Sequence, residues 1–451
     1  MRRLGCVSLT LMLLIFLSLL TCFTTVYPAQ AYTSVNGTIC SDTTWTKAGS
    51  PYNFTSNIIV AADAALTIEP GVTVNLNDYF LIVNGTLNAQ GTETDKIVFQ
   101  KATNTSYWYI VNQIDFTQFS QGWNEYTGQG SIVENAVLRS VEVSFYSSAK
   151  FSNVVSDRGL SFYAGSPTVT NCRFNVSNGF NIFGGSPLIA NNVLVGSGRN
   201  TGIYCFGGEG TISGNTISRF GIGVSVNAGK WLINANTVSE CINAIELSNN
   251  ADVTIQKNLL NNNTQYGITG NGKAYIDSNT IANNQIGIHN PPIGTTIRGN
   301  NIVGNLVNSI TATTPDVDAA NNYWGTTDLA VINWTIYDYY DDATWGKVTF
   351  TPILTEPNPD APLIPALLEP IVTPPPSTQP AQPSPSIQPT PTSTPAPTVD
   401  HNIIKNDDNQ DRSFLNLNWL VVALAVPLAA VWAVVLLGYR VKAKIDELRR
   451  G

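Results

Sequence analysis

An asparagine recurs at nearly fixed intervals through the middle of this chain. The intervals between copies are 21 to 23 residues long. The copies are Asn192, Asn215, Asn236, Asn258, Asn279, Asn300 and Asn321. Most of them stand in the frame apolar-x-x-Asn-x-apolar, as in Ile212 to Ile217. A period this short and this regular indicates stacked structural repeats.

The residues around each asparagine favour strands over helices. The apolar positions of the frame are mostly Ile and Val, which suit half-buried β-strands, whereas a leucine-rich repeat needs several Leu at fixed offsets. A second short apolar run follows a small residue in each copy, as in Gly221 to Val224. We therefore predict an all-β, single-stranded parallel β-helix with rungs of about 21–23 residues. The asparagines are predicted to form a structural ladder that stabilises the turns.

Charge and composition exclude some partners. The net charge is −8, so the chain repels phosphate backbones and nucleic acid is not an expected partner. Only two histidines occur, His289 and His401, which argues against a histidine-based metal site or triad. No cofactor is predicted, apart from the possible Ca²⁺ site described below.

The ends of the chain predict a membrane-anchored surface protein. Residues 1–31 are typical of a signal peptide, with Arg2 and Arg3 before an apolar run. Residues 32–355 are the predicted ectodomain, and 356–412 are a stalk rich in Pro, Thr and Ser, predicted to be disordered. Residues 413–439 can span a bilayer as one helix, and the basic tail 440–451 places the C-terminus in the cytoplasm. The ectodomain is therefore expected to be extracellular.

The ectodomain offers possible modification sites. Its N-glycosylation sequons begin at Asn36, Asn53, Asn84, Asn104, Asn175, Asn262 and Asn333. Four cysteines remain after signal cleavage: Cys40, Cys172, Cys205 and Cys241. Their spacings do not equal whole rungs, which favours buried free thiols over disulfide bridges; the sequence leaves any pairing open.

Three segments carry a family resemblance. They are the entry "DTTWTKAGSPYNF…" from Asp42, the asparagine rungs at about 167–321, and the exit "NNYWGTTDLAVINW…" from Asn321. The chain resembles secreted and surface right-handed parallel β-helix proteins of the pectate-lyase-like superfamily, NosD-type in particular, and its layout is similar to archaeal surface proteins. The resemblance implies a right-handed β-helix fold. It leaves the activity open, because this group contains polysaccharide-active enzymes, carbohydrate binders and surface proteins.

The strand register predicts one charged group on an outer face. Because side chains alternate between the two faces of a strand, the residue directly after the first apolar residue of each frame points outward. The column of these outward residues ends in Asp277, Arg298 and Asp318, with Tyr275 nearby. These residues are the catalytic candidates, because hydrolases flank the scissile bond with carboxylates and lyases set a carboxylate beside a basic residue. The simpler interpretation is an ion pair between rungs. The chain lacks the paired-Asp and Arg-rich strand motifs of such enzymes.

Two interruptions of the period are further candidates. Residues 104–130 are a predicted insertion rich in aromatic residues, and exposed rings there can stack on sugars. The ligand-binding candidates are Trp108, Trp123, Tyr126 and Tyr275. Residues 321–355 are the predicted C-terminal cap, in which Asp338, Asp341 and Asp342 form either a Ca²⁺ site or a solvated loop.

Three functions stay open at this point. The leading hypothesis is a membrane-anchored β-helix that presents a binding or adhesive face to glycans, surface glycoproteins or surface-layer partners. A polysaccharide lyase or glycoside hydrolase is the alternative if the chain is an enzyme, which the missing motifs disfavour. A structural spacer without a specific ligand is the third.

Overall fold

The protein is a long coil of short parallel strands. The structure is a computed structural model that describes residues 32–101, 112–291, 294–313 and 316–364. Thirty-five of the strands hydrogen-bond into one continuous parallel sheet that winds around a central core. Within the described ranges, no helix has the length and apolar character needed to cross a bilayer. The predicted signal peptide, membrane segment and cytoplasmic tail lie outside these ranges.

Each turn of the coil adds one strand to each of three sheets. Sheet 1 contains Thr43–Trp45, Ala65–Ile68, Thr86–Gln90, Ile132–Glu134, Lys150–Ser152, Thr168–Thr170, Leu188–Ala190, Glu209–Ser213, Lys273–Asp277 and Thr296–Arg298. Sheet 2 contains Thr73–Asn75, Ile97–Gln100, Ala136–Arg139, Val155–Ser156, Arg173–Asn175, Val193–Val195, Thr216–Ser218, Thr237–Ser239, Leu259–Asn261, Thr280–Ala282 and Asn301–Val303. Sheet 3 contains Phe80–Val83, Asn112–Phe116, Val141–Phe145, Leu160–Phe162, Phe180–Ile182, Thr201–Cys205, Tyr266–Gly270, Ile286–His289, Asn308–Thr311 and Ile336–Tyr337.

Four longer strands bend around a corner of the coil. Thr33–Ile39 and Tyr52–Val60 pass from sheet 2 into sheet 3, and Ile222–Asn234 and Asn243–Gln256 pass from sheet 3 into sheet 1. All described pairings between neighbouring turns of the three sheets are parallel. The predicted all-β parallel solenoid is therefore confirmed for these residues.

The core consists of columns of apolar side chains. In sheet 1, Ile212 pairs with Ile233, Ile233 with Ile255, and Ile255 with Ile276. Each of these side chains is almost completely buried. Burying one such side chain contributes about 1.5–3 kcal/mol to the stability of the fold. The burial requires the turns above and below that side chain. This explains why the apolar frame recurs with the period of the coil.

The recurrent asparagines line the corner between sheets 1 and 2. The backbone N–H and the side-chain Nδ2 of Asn236 both donate to Oδ1 of Asn258, at 2.9 and 3.0 Å. Nδ2 of Asn236 also donates to the carbonyl of Ile212 at 2.8 Å. The same pattern joins Asn192, Asn215, Asn236, Asn258, Asn279 and Asn300 in sequence. Each amide therefore satisfies buried backbone groups on several turns.

The last member of this ladder is Asn322, and the prediction of Asn321 was wrong by one residue. The N–H of Asn300 donates to Oδ1 of Asn322 at 2.9 Å, and Asn322 is buried. Asn321 lies outside the ladder with a φ of 60°. The residue before each ladder position has this left-handed conformation, as Ala235 does with a φ of 55°. Because the interval from Asn300 to Asn322 is 22 residues, the observed range of 21–23 residues did not distinguish Asn322 from Asn321.

A second ladder, not recognised in the sequence, lies at the corner between sheets 2 and 3. Cys241 N–H donates to Oδ1 of Asn263 at 3.1 Å, and Asn263 N–H donates to Oδ1 of Asn284 at 3.1 Å. Asn305 continues the series below Asn284. The signal was present in the sequence as an Asn-Asn pair at 262–263 and again at 283–284. Two of the three corners are therefore fixed by stacked amides in this part of the coil.

Small residues at the start of the sheet 3 strands have a steric cause. A Cβ atom on Gly179 would lie 1.7 Å from the carbonyl oxygen of Gly202 on the next turn. A Cβ atom on Gly202 would lie 2.6 Å from the carbonyl oxygen of Gly223. Glycine is therefore required where consecutive backbones approach so closely.

The predicted insertion 104–130 contains a regular strand of the coil. Asn112–Phe116 belongs to sheet 3 and pairs with Val141–Phe145. Phe116 is fully buried and stacks on Phe145 at 5.5 Å. The single predicted insertion is therefore wrong, because the strand separates two loops. Residues 102–111 of the first loop lie outside the described residues.

The C-terminal cap is built from a short helix and a small separate sheet. The helix Leu329–Trp334 begins after Asp328, whose Oδ1 accepts from the N–H of Ala330 at 2.9 Å. Val317–Asp318 pairs with Val348–Thr349 outside the main sheet. A 3-10 helix, Lys47–Gly49, lies near the other end.

The first residues of the predicted stalk fold back along sheet 2. The N–H of Asn358 donates to Oδ1 of Asn301 at 2.8 Å, and its side chain donates to the carbonyl of Gly299. Farther along, Thr280 donates to the carbonyl of Pro362. The boundary at residue 355 is therefore too early, because residues 356–364 contact the coil.

Candidate functional site

The charged group predicted on sheet 1 is partly assembled. Asp277 and Arg298 are direct partners on neighbouring strands, with Nε and Oδ1 3.9 Å apart. Arg298 also donates to the hydroxyl of Tyr275, and its guanidinium lies 5.0 Å from the centre of that ring. The arginine is more than half exposed. This arrangement is an exposed ion pair between rungs with an added cation–π contact.

Asp318 does not continue this column. Because Asn322 occupies the ladder position, Ala320 takes the place level with Arg298. Asp318 instead turns toward its own backbone, and its Oδ1 accepts from the N–H of Ala320 at 3.0 Å. The predicted three-residue catalytic group is therefore wrong. What remains is one carboxylate beside one arginine, without the second carboxylate that an acid–base pair requires.

The aspartates of the C-terminal cap hold their own loop together. Asp338 is buried and accepts from the backbone N–H groups of Tyr340 and Val348, at 3.0 and 2.8 Å. Asp341 accepts from the N–H of Asp338 at 3.1 Å, and Asp342 accepts from Thr344 at 2.9 Å. Among the described residues, no group of three or more His, Cys, Asp or Glu is placed to hold a metal ion. These carboxylates therefore act as loop supports in this structure.

The aromatic ligand-binding candidates of the loops differ in exposure and in their contacts. Trp108 lies outside the described residues. Trp123 is half-buried, with Nζ of Lys150 5.3 Å from its ring centre. Tyr126 is completely exposed. Glu125 lies between them in sequence and pairs with Lys150 at 2.7 Å, and this lysine lowers the pKa of the Glu125 carboxyl.

A continuous row of exposed aromatic rings runs along one edge of the outer face of sheet 3, where each ring belongs to the residue directly after a strand end. Its members are Tyr146, Tyr163, Phe183 and Phe206, and we call them the aromatic row. Consecutive rings are stacked with centroids 4.5, 5.0 and 4.8 Å apart. Each ring is 37–44% exposed. With one ring per turn, the row is roughly 14 Å long.

Polar side chains form a parallel row beside the aromatic one. Strand pairing aligns Asp115, Ser144, Ser161, Asn181, Tyr204, Ser225 and Glu246, which we call the polar row. Four of its members stand two residues before a ring of the aromatic row, so both rows share one face. Burial raises the pKa of Asp115, although Gln113 Nε2 donates to its carboxyl at 2.5 Å. The face therefore combines an apolar edge with hydroxyl, amide and carboxyl groups.

The polar row ends in a cleft of about 430 Å³. Its lining residues are Asn243, Glu246, Leu247, Ser248, Asn249, Tyr266, Thr269, Gly270, Asn271 and His289. Nδ2 of Asn243 donates to Oε2 of Glu246 at 3.1 Å. The rings of Tyr266 and His289 are stacked at 4.5 Å with 6° between their planes. We call this the Glu246 cleft.

The imidazole of His289 lines this cleft and is held by two hydrogen bonds. Its Nδ1 lies 2.7 Å from the hydroxyl of Thr311, and Nδ2 of Asn290 lies 3.1 Å from its Nε2. Both ring nitrogens are therefore occupied by hydrogen bonds. Burial lowers the pKa of His289, which keeps the imidazole uncharged at neutral pH.

Three buried cysteines carry free thiols, and Cys40 is free and exposed. Cys172 takes the first position of the first asparagine ladder, and its Sγ donates to the carbonyl of Thr170 at 3.2 Å. Burial raises the pKa of Cys172 to about 12 and that of Cys241 to about 11. Burial also raises the pKa of Cys205. These thiols are structural rather than nucleophilic.

The sequons differ in accessibility. Asn36, Asn175, Asn262 and Asn333 are exposed, whereas Asn53 and Asn84 are half-buried. Asn53 accepts from Asn75 at 2.6 Å and Asn84 accepts from Thr117 at 2.8 Å, so both amides already have partners. Asn104 lies outside the described residues. None of the sequons falls in the sheet 3 strands that carry the two rows.

Comparison with known proteins supports the fold assignment. The family "Right handed beta helix region" matches residues 158–323, which contain most of the three-sheet turns described above. The matched residues and the parallel three-sheet coil together support a right-handed β-helix repeat protein. "Protein bark beetle" of Drosophila melanogaster is 40% identical to this β-helix protein over 84 residues, which are 18% of the chain and 3% of that protein. No solved structure matches the chain.

The aromatic row was missed in the sequence for a physical reason. The rings are separated by 17, 20 and 23 residues, because the corner loops of these turns differ in length. The asparagine ladder aligns sheet 1 and does not determine which residues align on sheet 3. A usable signal was the aromatic residue that follows a short apolar run at each of these positions.

Proposed function

We propose that this protein is a membrane-anchored cell-surface β-helix that binds a linear glycan along the outer face of sheet 3. The observation that carries this proposal is the aromatic row beside the polar row. A run of exposed rings forms a contiguous apolar patch, which in soluble proteins is typical of an interaction site. A sugar chain has both apolar C–H faces and hydroxyl groups, so it complements such a surface.

The stacking geometry determines how the row can act. Because each ring covers the face of its neighbour, the exposed part of the row consists mainly of ring edges. These edges form a continuous apolar strip, and the adjacent Ser161 and Asn181, which are half-buried, supply the hydrogen bonds. An extended polymer running parallel to the coil axis can contact both rows at once. The absence of sequons from these strands leaves the face free of attached sugars.

Anchoring is part of the same proposal. The apolar segment 413–439 and the basic tail 440–451 support a single membrane span with the β-helix outside the cell. Protease added to intact cells tests this: we expect loss of the β-helix and retention of a tail epitope. Survival of both on intact cells, with digestion after lysis, would contradict it.

Binding is tested with the full-length chain on a panel of soluble polysaccharides. We expect one or more of them to retard the wild-type chain, and Phe183→Ser to weaken this retardation strongly. Tyr126→Ser is the control, because it removes an exposed ring that does not belong to the row. Equal retardation of wild type, Phe183→Ser and Tyr126→Ser would overturn the proposal. Reducing-sugar and unsaturated-product assays on the same panel test for catalysis.

A further inference from the structure

The Glu246 cleft carries an uncompensated negative charge. Glu246 is the one acidic side chain among the residues that line the cleft, and His289, which also lines it, has both ring nitrogens occupied by neutral partners. Neither lysine nor arginine lines the cleft. The carboxylate is half-buried and is held by the amide of Asn243. A half-buried carboxylate without a counter-charge favours a cationic ligand.

The ring of Tyr266 lines the same cleft as this carboxylate. His289, on the turn after Tyr266, covers one face of the tyrosine ring. The other face is directed toward the preceding turn, where Tyr266 pairs with Asn243, the residue whose amide holds Glu246. An ammonium group bound near the face of a tyrosine gains a cation–π interaction in addition to its ion pair. The combination of a carboxylate and an aromatic face is suited to a primary ammonium.

The remaining lining favours a sugar as the carrier of that ammonium. Asn243, Ser248, Asn249, Thr269 and Asn271 present amide and hydroxyl groups that match sugar hydroxyls. The methylene groups of a lysine side chain would need an apolar channel instead, and the lining offers little beyond Leu247. A volume of about 430 Å³ is within the range of small-ligand sites.

The cleft is continuous with the glycan-binding face. Tyr204 pairs with Ser225 and Ser225 with Glu246, so the cleft begins two turns beyond the end of the aromatic row. This separation is roughly 10 Å. We propose that the Glu246 cleft recognises a free amino group on the glycan, so that the preferred ligand is an amino sugar polymer with unacetylated residues. This inference rests on the proposed glycan-binding function.

The test compares two oligosaccharides of equal length, one of glucosamine and one of N-acetylglucosamine. The full-length chain is expected to bind the glucosamine oligomer more tightly, and Glu246→Gln is expected to weaken that binding roughly tenfold. Glu209→Gln is the control, because it makes the same charge change at an exposed position on sheet 1. Binding of the N-acetylated oligomer should change little in both variants.

Two results would overturn this inference. One is equal affinity for both oligomers, with binding that still depends on Phe183; in that case the proposed function survives and the amino-group preference fails. The other is binding of polylysine, lost in Glu246→Gln, without binding of the glucosamine oligomer, which would identify a protein ligand. If neither oligomer nor any polysaccharide of the panel binds, the proposed function itself fails.

Discussion

The rings of Tyr163 and Phe183 lie nearly parallel on consecutive turns of the β-helix, 5.0 Å apart with 14° between their planes. Both remain more than one-third exposed. Stacking of this kind contributes about 0.5–1.5 kcal/mol beyond area burial, so the row also supports its corner of the coil. Its exposure is what distinguishes it from the buried stack of Phe116 and Phe145.

The two ends of the aromatic row provide a prediction about ligand length. If a polymer lies along the row, affinity should rise with oligosaccharide length until the ligand spans it. Tyr146→Ser and Phe206→Ser should each shorten the length at which affinity stops rising, because each removes one end. Isothermal titration with a length series measures this. A length dependence that is unchanged in both variants would contradict a ligand aligned with the axis.

The last rung provides a matched pair of ladder variants. Asn322→Ala removes the acceptor of the Asn300 N–H and the donor to the carbonyl of Ile297, and should cost about 2–4 kcal/mol of stability. Asn321→Gly should be nearly neutral, since Asn321 contributes a left-handed backbone that glycine adopts readily. Thermal unfolding of both variants measures the difference. A larger loss for Asn321→Gly would restore the register predicted from the sequence.

The sequence predicted the register of sheet 1 correctly for part of these rungs. The Ile-x-x-Asn frame placed Ile276 inside and Asp277 outside correctly, because strand alternation and the ladder share one period. It misplaced Asp318, because Val317 lies five residues before the ladder asparagine Asn322, whereas Ile276 lies three residues before Asn279. Sheet 3 could not be aligned in this way, since loops of unequal length precede its strands. The cleft around Glu246 depends on that alignment and required the structure.

The buried thiols predict a dependence on alkaline pH. Cys172 and Cys241 have pKa values raised to about 12 and about 11, from an ordinary value of 9.0. A raised pKa stabilises the folded state below about pH 9, and this contribution is lost as the pH rises toward the folded values. The free energy of unfolding should therefore fall between pH 9 and pH 11. Cys172→Ala should reduce this slope, and an unchanged slope would assign the loss to other groups.

Thiol labelling at pH 8 checks the same cysteines kinetically. Exposed Cys40 should react with a maleimide, whereas Cys172, Cys205 and Cys241 should react only after denaturation. Mass spectrometry of the labelled chain identifies the modified positions. Rapid labelling of Cys205 in the folded protein would show that the core opens at that turn.

The ion pair on sheet 1 should be dispensable. Asp277→Asn is expected to change stability by less than about 1 kcal/mol, since the pair is exposed and 3.9 Å long. It should also leave glycan binding unchanged, because Asp277 lies on a different sheet from the aromatic row. Equilibrium unfolding and the polysaccharide panel measure the two effects. Polysaccharide turnover by the wild type that disappears in Asp277→Asn would make this protein an enzyme acting at sheet 1.

Covalent footprinting of the aromatic side chains, with and without a retained polysaccharide, tests the central claim most directly. A bound glycan should reduce labelling of Tyr163 and Phe183 on sheet 3, while labelling of the exposed Tyr126 and Trp334 stays unchanged. Binding that leaves the labelling of Tyr163 and Phe183 unchanged would contradict a glycan-binding face on sheet 3.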